Sequence, residues 1–302
     1  MLQNNSLQIS VASVPYFWSK ESYLSFYQAL AETETDIVYL GETVCSKRRS
    51  MRLQDWLEIA DFLTQKGKQV VLSTMTLIEA ESELGGLKKI VNQQDYLVEA
   101  NDISAIQLAK SQGHSFVAGS AINIYNNKSL TLFNQSGMSR WSVPVELGRK
   151  DLEPMIEKAK TLGVQVEYQV FGRMPLAYSA RCFTARHHQL PKDHCQLKCL
   201  DYEQGIPVWT QEGDSFAQIN GIQTQSAKVN NLLNYWQQLQ NAGINILRIM
   251  PLSAVDTIEA VNQLSALIKS KDGALFDESK FKSRYQFCNG YWLQMEGMRL
   301  VS

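Results

Sequence analysis

The sequence predicts an α/β protein, a closed (β/α)8 TIM-like barrel with a cysteine-bearing insertion after its seventh strand. Short apolar runs alternate with amphipathic helical segments along the chain, which is the rhythm of βαβ units. Eight such runs can be counted, the number a closed barrel needs. The length of 302 residues, 44% hydrophobic and 20% charged, suits one large undivided domain. An open doubly wound sheet would give similar local signals, and the count of eight is what favours closure.

The first strand is read at Leu7 to Val11. A helical stretch around Tyr23, Leu24, Tyr27 and Leu30 follows, then a second strand over Asp36 to Leu40. The next helix repeats apolar side chains at Leu53, Trp56, Leu57, Ala60 and Leu63, so one face must lie on a sheet. Strands are then expected at Gln69 to Ser73, Tyr96 to Glu99, Ser115 to Ala118, Arg140 to Val143 and Val164 to Val170, with helical patterns over residues 78–92 and 150–162 among those between them. A helix at Val229, Leu232, Leu233, Trp236 and Leu239 leads into the eighth strand, Ile244 to Ile249, and a last helix around Ile258 to Ile268. Strand starts lie roughly 20–33 residues apart until the seventh, whose return to the eighth takes about 75. The excess is the insertion, residues 172–226, where Pro191 and Gly205-Ile206-Pro207 argue against long regular elements. Residues 1–273 thus form one barrel domain. Residues 274–302 form a C-terminal appendix, whose aromatic run Tyr285 to Trp292 would cap the barrel or meet a partner.

A formal charge of −1 and a pI near 6.4 give no electrostatic reason to expect nucleic acid. No window approaches a membrane span. The N-terminal residues lack a basic leader followed by a long apolar run, so a cytoplasmic protein is expected. In a reducing compartment five cysteines are not a disulfide framework, and clustered ones point to metal or redox chemistry.

Three of the five crowd the insertion: Cys182, Cys195 and Cys199, with 12 and then 3 residues between them. In such barrels the loops that follow the strands gather round one mouth. Cys45 lies within five residues of the end of the second strand, and Cys182 opens from the loop after the seventh, so a site built from Cys45, Cys182, Cys195 and Cys199 is expected on one rim, with Cys288 outside it. A lone cysteine reads as a small buried hydrophobe. The grouped three lie among Arg181, Arg186, His187, His188, Lys192, Asp193, His194 and Lys198, a polar setting whose cations favour thiolate over thiol. Four thiolates suit an iron–sulfur cluster. Tetrahedral zinc stays a rival, with His187, His188 or His194 able to replace a thiolate, although the chain has one close cysteine pair where structural zinc usually has two.

Weaker signals surround this set. Glu42, Glu99, Asn101, Asp102, Asn123, Glu167 and Arg248 stand at strand ends and could line the mouth as acids, bases or carboxylate binders, or serve only as caps and rim ion pairs. Gly85-Gly86 reads as a turn or helix break and lacks the other glycines of a phosphate loop. No serine–histidine–aspartate set or HExxH is visible.

The segment Val166 to Pro175, continued by Leu176 to Cys182 as LAYSARC, resembles the signature of the collagenase-like peptidase family of unassigned catalytic type. The cysteine spacing, Glu99-Ala100-Asn101-Asp102 and the terminal Cys288-Asn289-Gly290-Tyr291-Trp292 extend the resemblance over nearly the whole chain. It implies a [4Fe–4S] cluster on Cys45, Cys182, Cys195 and Cys199, and a heterodimer with a sister subunit of the same family. It implies further an isoprenoid quinone precursor as substrate, delivered with a lipid-carrier protein and hydroxylated without oxygen. Relatives that hydroxylate RNA use prephenate as oxygen source, which makes prephenate the expected donor. The alternatives are a peptidase, and a non-catalytic partner subunit binding zinc or a cluster. A thiol held on iron would be unavailable as a protease nucleophile.

Overall fold

The computed structural model describes residues 7–270 and 275–301. The boundary expected at 273/274 and residues 1–6 of the leader reading lie outside the described residues.

Eight parallel strands close the barrel: β1 (Gln8–Val11), β2 (Ile37–Leu40), β3 (Gln69–Ser73), β4 (Leu97–Ala100), β5 (Phe116–Ala118), β6 (Met138–Ser142), the first half of β7 (Gln165–Tyr178) and β11 (Ile246–Ile249). Closure comes from β11, which pairs in parallel with both β7 and β1, Ile246 standing opposite Glu167 and Gln8. The helices between them are α1 (Lys20–Ala31), α2 (Leu53–Gln65), α3 (Glu81–Val91), α4 (Ile103–Ser111), α5 (Asn127–Gln135), α6 (Arg149–Leu162), α8 (Trp236–Ala242) and α9 (Ala254–Ser270). Gly85-Gly86 lies inside α3 and does not break it.

Strand parity divides the core. Residues such as Val38, Leu40, Val70, Leu72, Val166 and Leu247 face outward and pack with the helices into the main apolar layer. Their neighbours face the lumen, where Ile37, Tyr39, Val71, Val117 and Ile246 make a small apolar plug. Nearer the strands' C-terminal ends the lumen turns ionic. Arg248 meets Glu99 at 2.8 Å and Glu167 at 3.3 Å, all three side chains being at most 8% exposed. Glu167 also accepts from Ser10 and Tyr39, Glu99 accepts from Ser73 and Asn101, and the Arg248 guanidinium lies 4.3 Å from the Tyr39 ring centroid.

The excursion after β7 departs from the sequence expectation. β7 continues past the barrel to Tyr178 and there pairs antiparallel with β10 (Gln223–Asn231), which pairs with β9 (Ser215–Asn220), which pairs with β8 (Ile206–Trp209). The bend falls at Gly172, whose φ of +108° is open to glycine and where a Cβ would stand 2.3 Å from the Met250 carbonyl oxygen. The expected helix start at Val229 belongs to β10, and helix resumes only after a 3-10 turn over Leu233–Tyr235. Between β7 and β8 lie the short helix α7 (Phe183–His187) and two 3-10 turns, Lys192–His194 and Lys198–Asp201.

The appendix folds back as β12 (Phe287–Cys288) on β10, with Phe276, Phe281 and Phe287 stacked round Phe171. Asp256 of α9 anchors it, accepting from Tyr285 at 2.8 Å, from Ser253 at 2.6 Å and from Arg284. Burial pushes the Asp256 carboxyl up, but these hydrogen bonds outweigh it and hold the group below the usual aspartate range. A depressed pKa contributes stability above the unfolded value, about 3.9, and loses it as pH falls through the folded one. Asp256→Asn is expected to cost about 1–3 kcal/mol at neutral pH. In urea titrations across pH, that difference should shrink below about pH 4; a pH-independent difference would contradict the assignment.

Candidate metal centre

Four thiols line one small cavity at the barrel rim: Cys45, Cys182, Cys195 and Cys199, together with Lys47, Arg48, Thr184, Ala185, Leu197, Lys198 and Gly221. Cys45 comes from the loop after β2 and the other three from the excursion, so the folded chain joins segments 137 positions apart. All four are half-buried and free of disulfides.

Each sulfur is placed by local backbone chemistry. After β2, the Glu42 carboxylate accepts from the backbone N–H of Val44 (2.8 Å) and Cys45 (3.0 Å), and the Arg48 N–H closes a turn on the Cys45 carbonyl. Cys182 caps α7, its sulfur accepting from the Ala185 N–H at 3.4 Å. Cys195 ends one 3-10 turn and Cys199 lies in the next; between them Gln196 and Leu197 both hold positive φ, 51° and 53°. Two successive non-glycine residues there cost of order 1–3 kcal/mol each and turn the chain sharply enough to bring both cysteines to one wall.

The loops are tied across the cavity. Lys47 Nζ donates to the Lys192 carbonyl and pairs with Asp193 at 2.8 Å, while Lys192 pairs with Glu79. Arg48 is buried, donating to the Pro15 carbonyl and to Asn220 Oδ1. Its Nε has no hydrogen-bond partner among the described residues, an orphaned donor in a wall shared with four sulfurs. Of the three grouped cysteines, Cys199 has its thiol pushed up by burial, which the Arg48 charge offsets only in part; burial likewise pushes the Cys45 thiol up, against the Lys47 N–H and Arg48.

The four expected sulfurs therefore share a wall, and Cys288 does not. It is buried with Val145 and Met174, and burial pushes its thiol up to about 12. No histidine lines the cavity; His188 faces Tyr202, with Nε2 2.9 Å from the hydroxyl. Arg48, Lys47 and Thr184 were not singled out from sequence, although Lys47-Arg48-Arg49, one residue beyond Cys45, was a visible signal. The strand-end polar residues divide: Glu42 holds the Cys45 loop, Asp102 caps α4, and Glu99, Glu167 and Arg248 close on one another in the lumen.

Among the described residues no group of three or more His, Cys, Asp or Glu side chains is placed to hold a metal ion. Zinc draws its ligands to one point at about 2.3 Å each. A polynuclear cluster puts each thiolate on its own iron and so spreads the sulfurs round a wall. Four thiols line the cavity and no carboxylate does, while its three cations, Lys47, Arg48 and Lys198, are paired with Asp193, Glu42 and Asp201 outside it; the thiol set itself is what suits such a group.

The profile of peptidase family U32 matches residues 22–279, most of the chain. Among solved structures, the U32 peptidase Mk0906 is 10% identical, with 83% of this chain and 96% of that one covered and a TM-score of 0.45. An uncharacterized B. cereus protein is 9% identical, with 85% of this chain covered and a TM-score of 0.46; the chain spans 65% of its length. One tryptophan synthase, from Pyrococcus furiosus, is 11% identical, with 88% and 92% covered and a TM-score of 0.43.

Proposed function

The chain belongs to peptidase family U32, and we propose that within it the protein is an iron–sulfur subunit of an oxygen-independent hydroxylase, similar to the ubiquinone biosynthesis protein UbiV. The observation that supports this reading best is the four-thiol cavity assembled from two distant segments.

In this reading Cys45, Cys182, Cys195 and Cys199 hold a [4Fe–4S] cluster. When bound, such a cluster supplies one-electron transfer at a potential set by its net charge, its hydrogen bonds and its exposure. The chain's own part is to set those terms. The Ala185 N–H donates to the Cys182 sulfur, the wall of Thr184, Ala185 and Leu197 limits water, and Lys47, Arg48 and Lys198, each also paired with a carboxylate (Asp193, Glu42 and Asp201), set the local charge. A UbiU-like sister subunit completes the heterodimer, and a UbiT-like lipid-carrier protein presents the isoprenoid quinone precursor. Prephenate is the proposed source of the hydroxyl group, since a reaction without oxygen must take it from water or a donor metabolite.

Protein purified without air tests the reading directly. A brown visible spectrum with about four iron and four sulfide per chain is the expected result. Colourless protein carrying zinc and no iron or sulfide would overturn it.

A further inference from the structure

One buried side chain joins the loop behind β2 to the excursion behind β7 across the thiol cavity. Arg48 belongs to the Cys45 loop, is 4% exposed and lines the cavity. Its Nη1 donates to the Pro15 carbonyl at 2.8 Å, and its Nη2 donates to Asn220 Oδ1 of β9 at 2.7 Å. The guanidinium stands 5.9 Å from the Phe17 ring centroid. Gly221, in the same cavity wall, leaves room for it, since a Cβ there would stand 3.0 Å from Nη2. Both outer nitrogens are committed, and the guanidinium plane is fixed with them.

Two features say what this arrangement leaves over. The first is Nε, which has no hydrogen-bond partner among the described residues. A buried donor without an acceptor costs about 1–3 kcal/mol, and more when it belongs to a charged group. The second is charge. Glu42 approaches Arg48 only to 3.8 Å, and the same carboxylate oxygen accepts from the Val44 and Cys45 N–H groups. Burial pulls the Arg48 guanidinium down, but Glu42, then Cys199, then Cys45 outweigh it. Of the four sulfurs, Cys199 therefore couples to Arg48 most strongly. A thiolate on iron still accepts hydrogen bonds, and each such bond raises a cluster's potential by favouring the more negative, reduced form.

We infer that Arg48 is a positioning residue of this centre: its Nε–H donates to the Cys199 thiolate when the four cysteines hold their cluster, and that bond sets the cluster's potential. This rests on the iron–sulfur reading and adds to it a residue that is not a ligand.

Arg48→Lys tests it on the full-length chain purified without air, because lysine keeps the charge and puts a methylene where Nε stands. The midpoint potential, read from the visible spectrum against redox mediators, should fall. The oxidised-to-reduced ratio at a fixed potential is expected to rise about tenfold, or about 59 mV for a one-electron couple. A residue that only joined two loops would lower the melting temperature and leave the potential in place, and that result in loaded Arg48→Lys overturns the assignment. Should Arg48→Lys fail to load, the parent decides. With its arginines labelled at Nε with the heavy nitrogen isotope, the reduced cluster should show a hyperfine coupling to that nucleus in pulsed paramagnetic resonance, since no other arginine lines the cavity. An absent coupling overturns the assignment equally. Iron and sulfide are measured on the same samples: parent protein without them overturns the iron–sulfur reading and this role together, whereas loaded protein with an unmoved potential or no coupling overturns the role of Arg48 alone.

Discussion

Cys45→Ala is expected to lower bound iron and sulfide at least tenfold while leaving the far-ultraviolet circular dichroism unchanged. A four-thiolate site that loses one ligand loses a metal–sulfur bond, and even residues one step behind the ligands commonly cost 10- to 100-fold in affinity. The fold should survive because Cys45 is half-buried in a loop whose backbone is held by Glu42 and not by its own sulfur. Cys182→Ala, Cys195→Ala and Cys199→Ala should behave alike. Cys288→Ala should retain full iron, since its sulfur packs against Val145 and Met174 on another part of the molecule. Iron retained by Cys45→Ala but lost by Cys288→Ala would reverse the ligand assignment. Mixing each variant with a UbiU-like subunit then separates roles, because a Cys182→Ala chain that pairs yet supports no hydroxylation places the cluster in the reaction and not in assembly.

The second large effect is expected in the lumen. Burial pulls the Arg248 guanidinium down, but Glu99, Glu167 and Tyr39 outweigh it and hold its pKa well above the usual arginine value. Arg248→Met removes the cation and leaves two carboxylates, each no more than 2% exposed, facing one another. The expected loss is about 3–5 kcal/mol in urea unfolding, the range for breaking a buried ion pair from one side. Adding Glu99→Gln and Glu167→Gln to the same chain should restore part of it, because the uncompensated charge then disappears. A single variant as stable as the parent would mean that water reaches these groups and that the lumen is wetter than its packing indicates.

Much of the barrel was readable because its strands are rich in Val, Ile and Leu and its helices repeat on one face, as Trp56, Ala60 and Leu63 do in α2. The thiol set was readable as a spacing pattern that became a place once the loops after strands two and seven were put on one rim. The antiparallel strands of the excursion escaped because Ser215–Asn220 and Gln223–Asn231 are rich in Gln, Asn and Ser, which carry little strand preference. One signal was there: Gly221, with a φ of +66°, opens the two-residue turn Gly221-Ile222 between β9 and β10, the first-position glycine that one class of tight hairpin favours. Glu99, Glu167 and Arg248 were read either as mouth residues or as rim ion pairs; they do pair with one another, but inside the lumen, and strand parity carries that placement. Their neighbours Val98, Val166 and Leu247 point outward to the helices, so these three point inward.

The division of the four sulfurs, one from the barrel proper and three from the excursion, bears on the order in which the molecule matures. None of the barrel's eight parallel strands needs a cysteine to pair, whereas the cavity exists only after the loop behind β2 and the chain behind β7 meet. A metal loaded there would arrive late, on an already folded barrel. A cluster there would act as a clasp, so its loss to oxygen should loosen the turns at Cys195 and Cys199 while the barrel stays shut, leaving a chain that can be refilled.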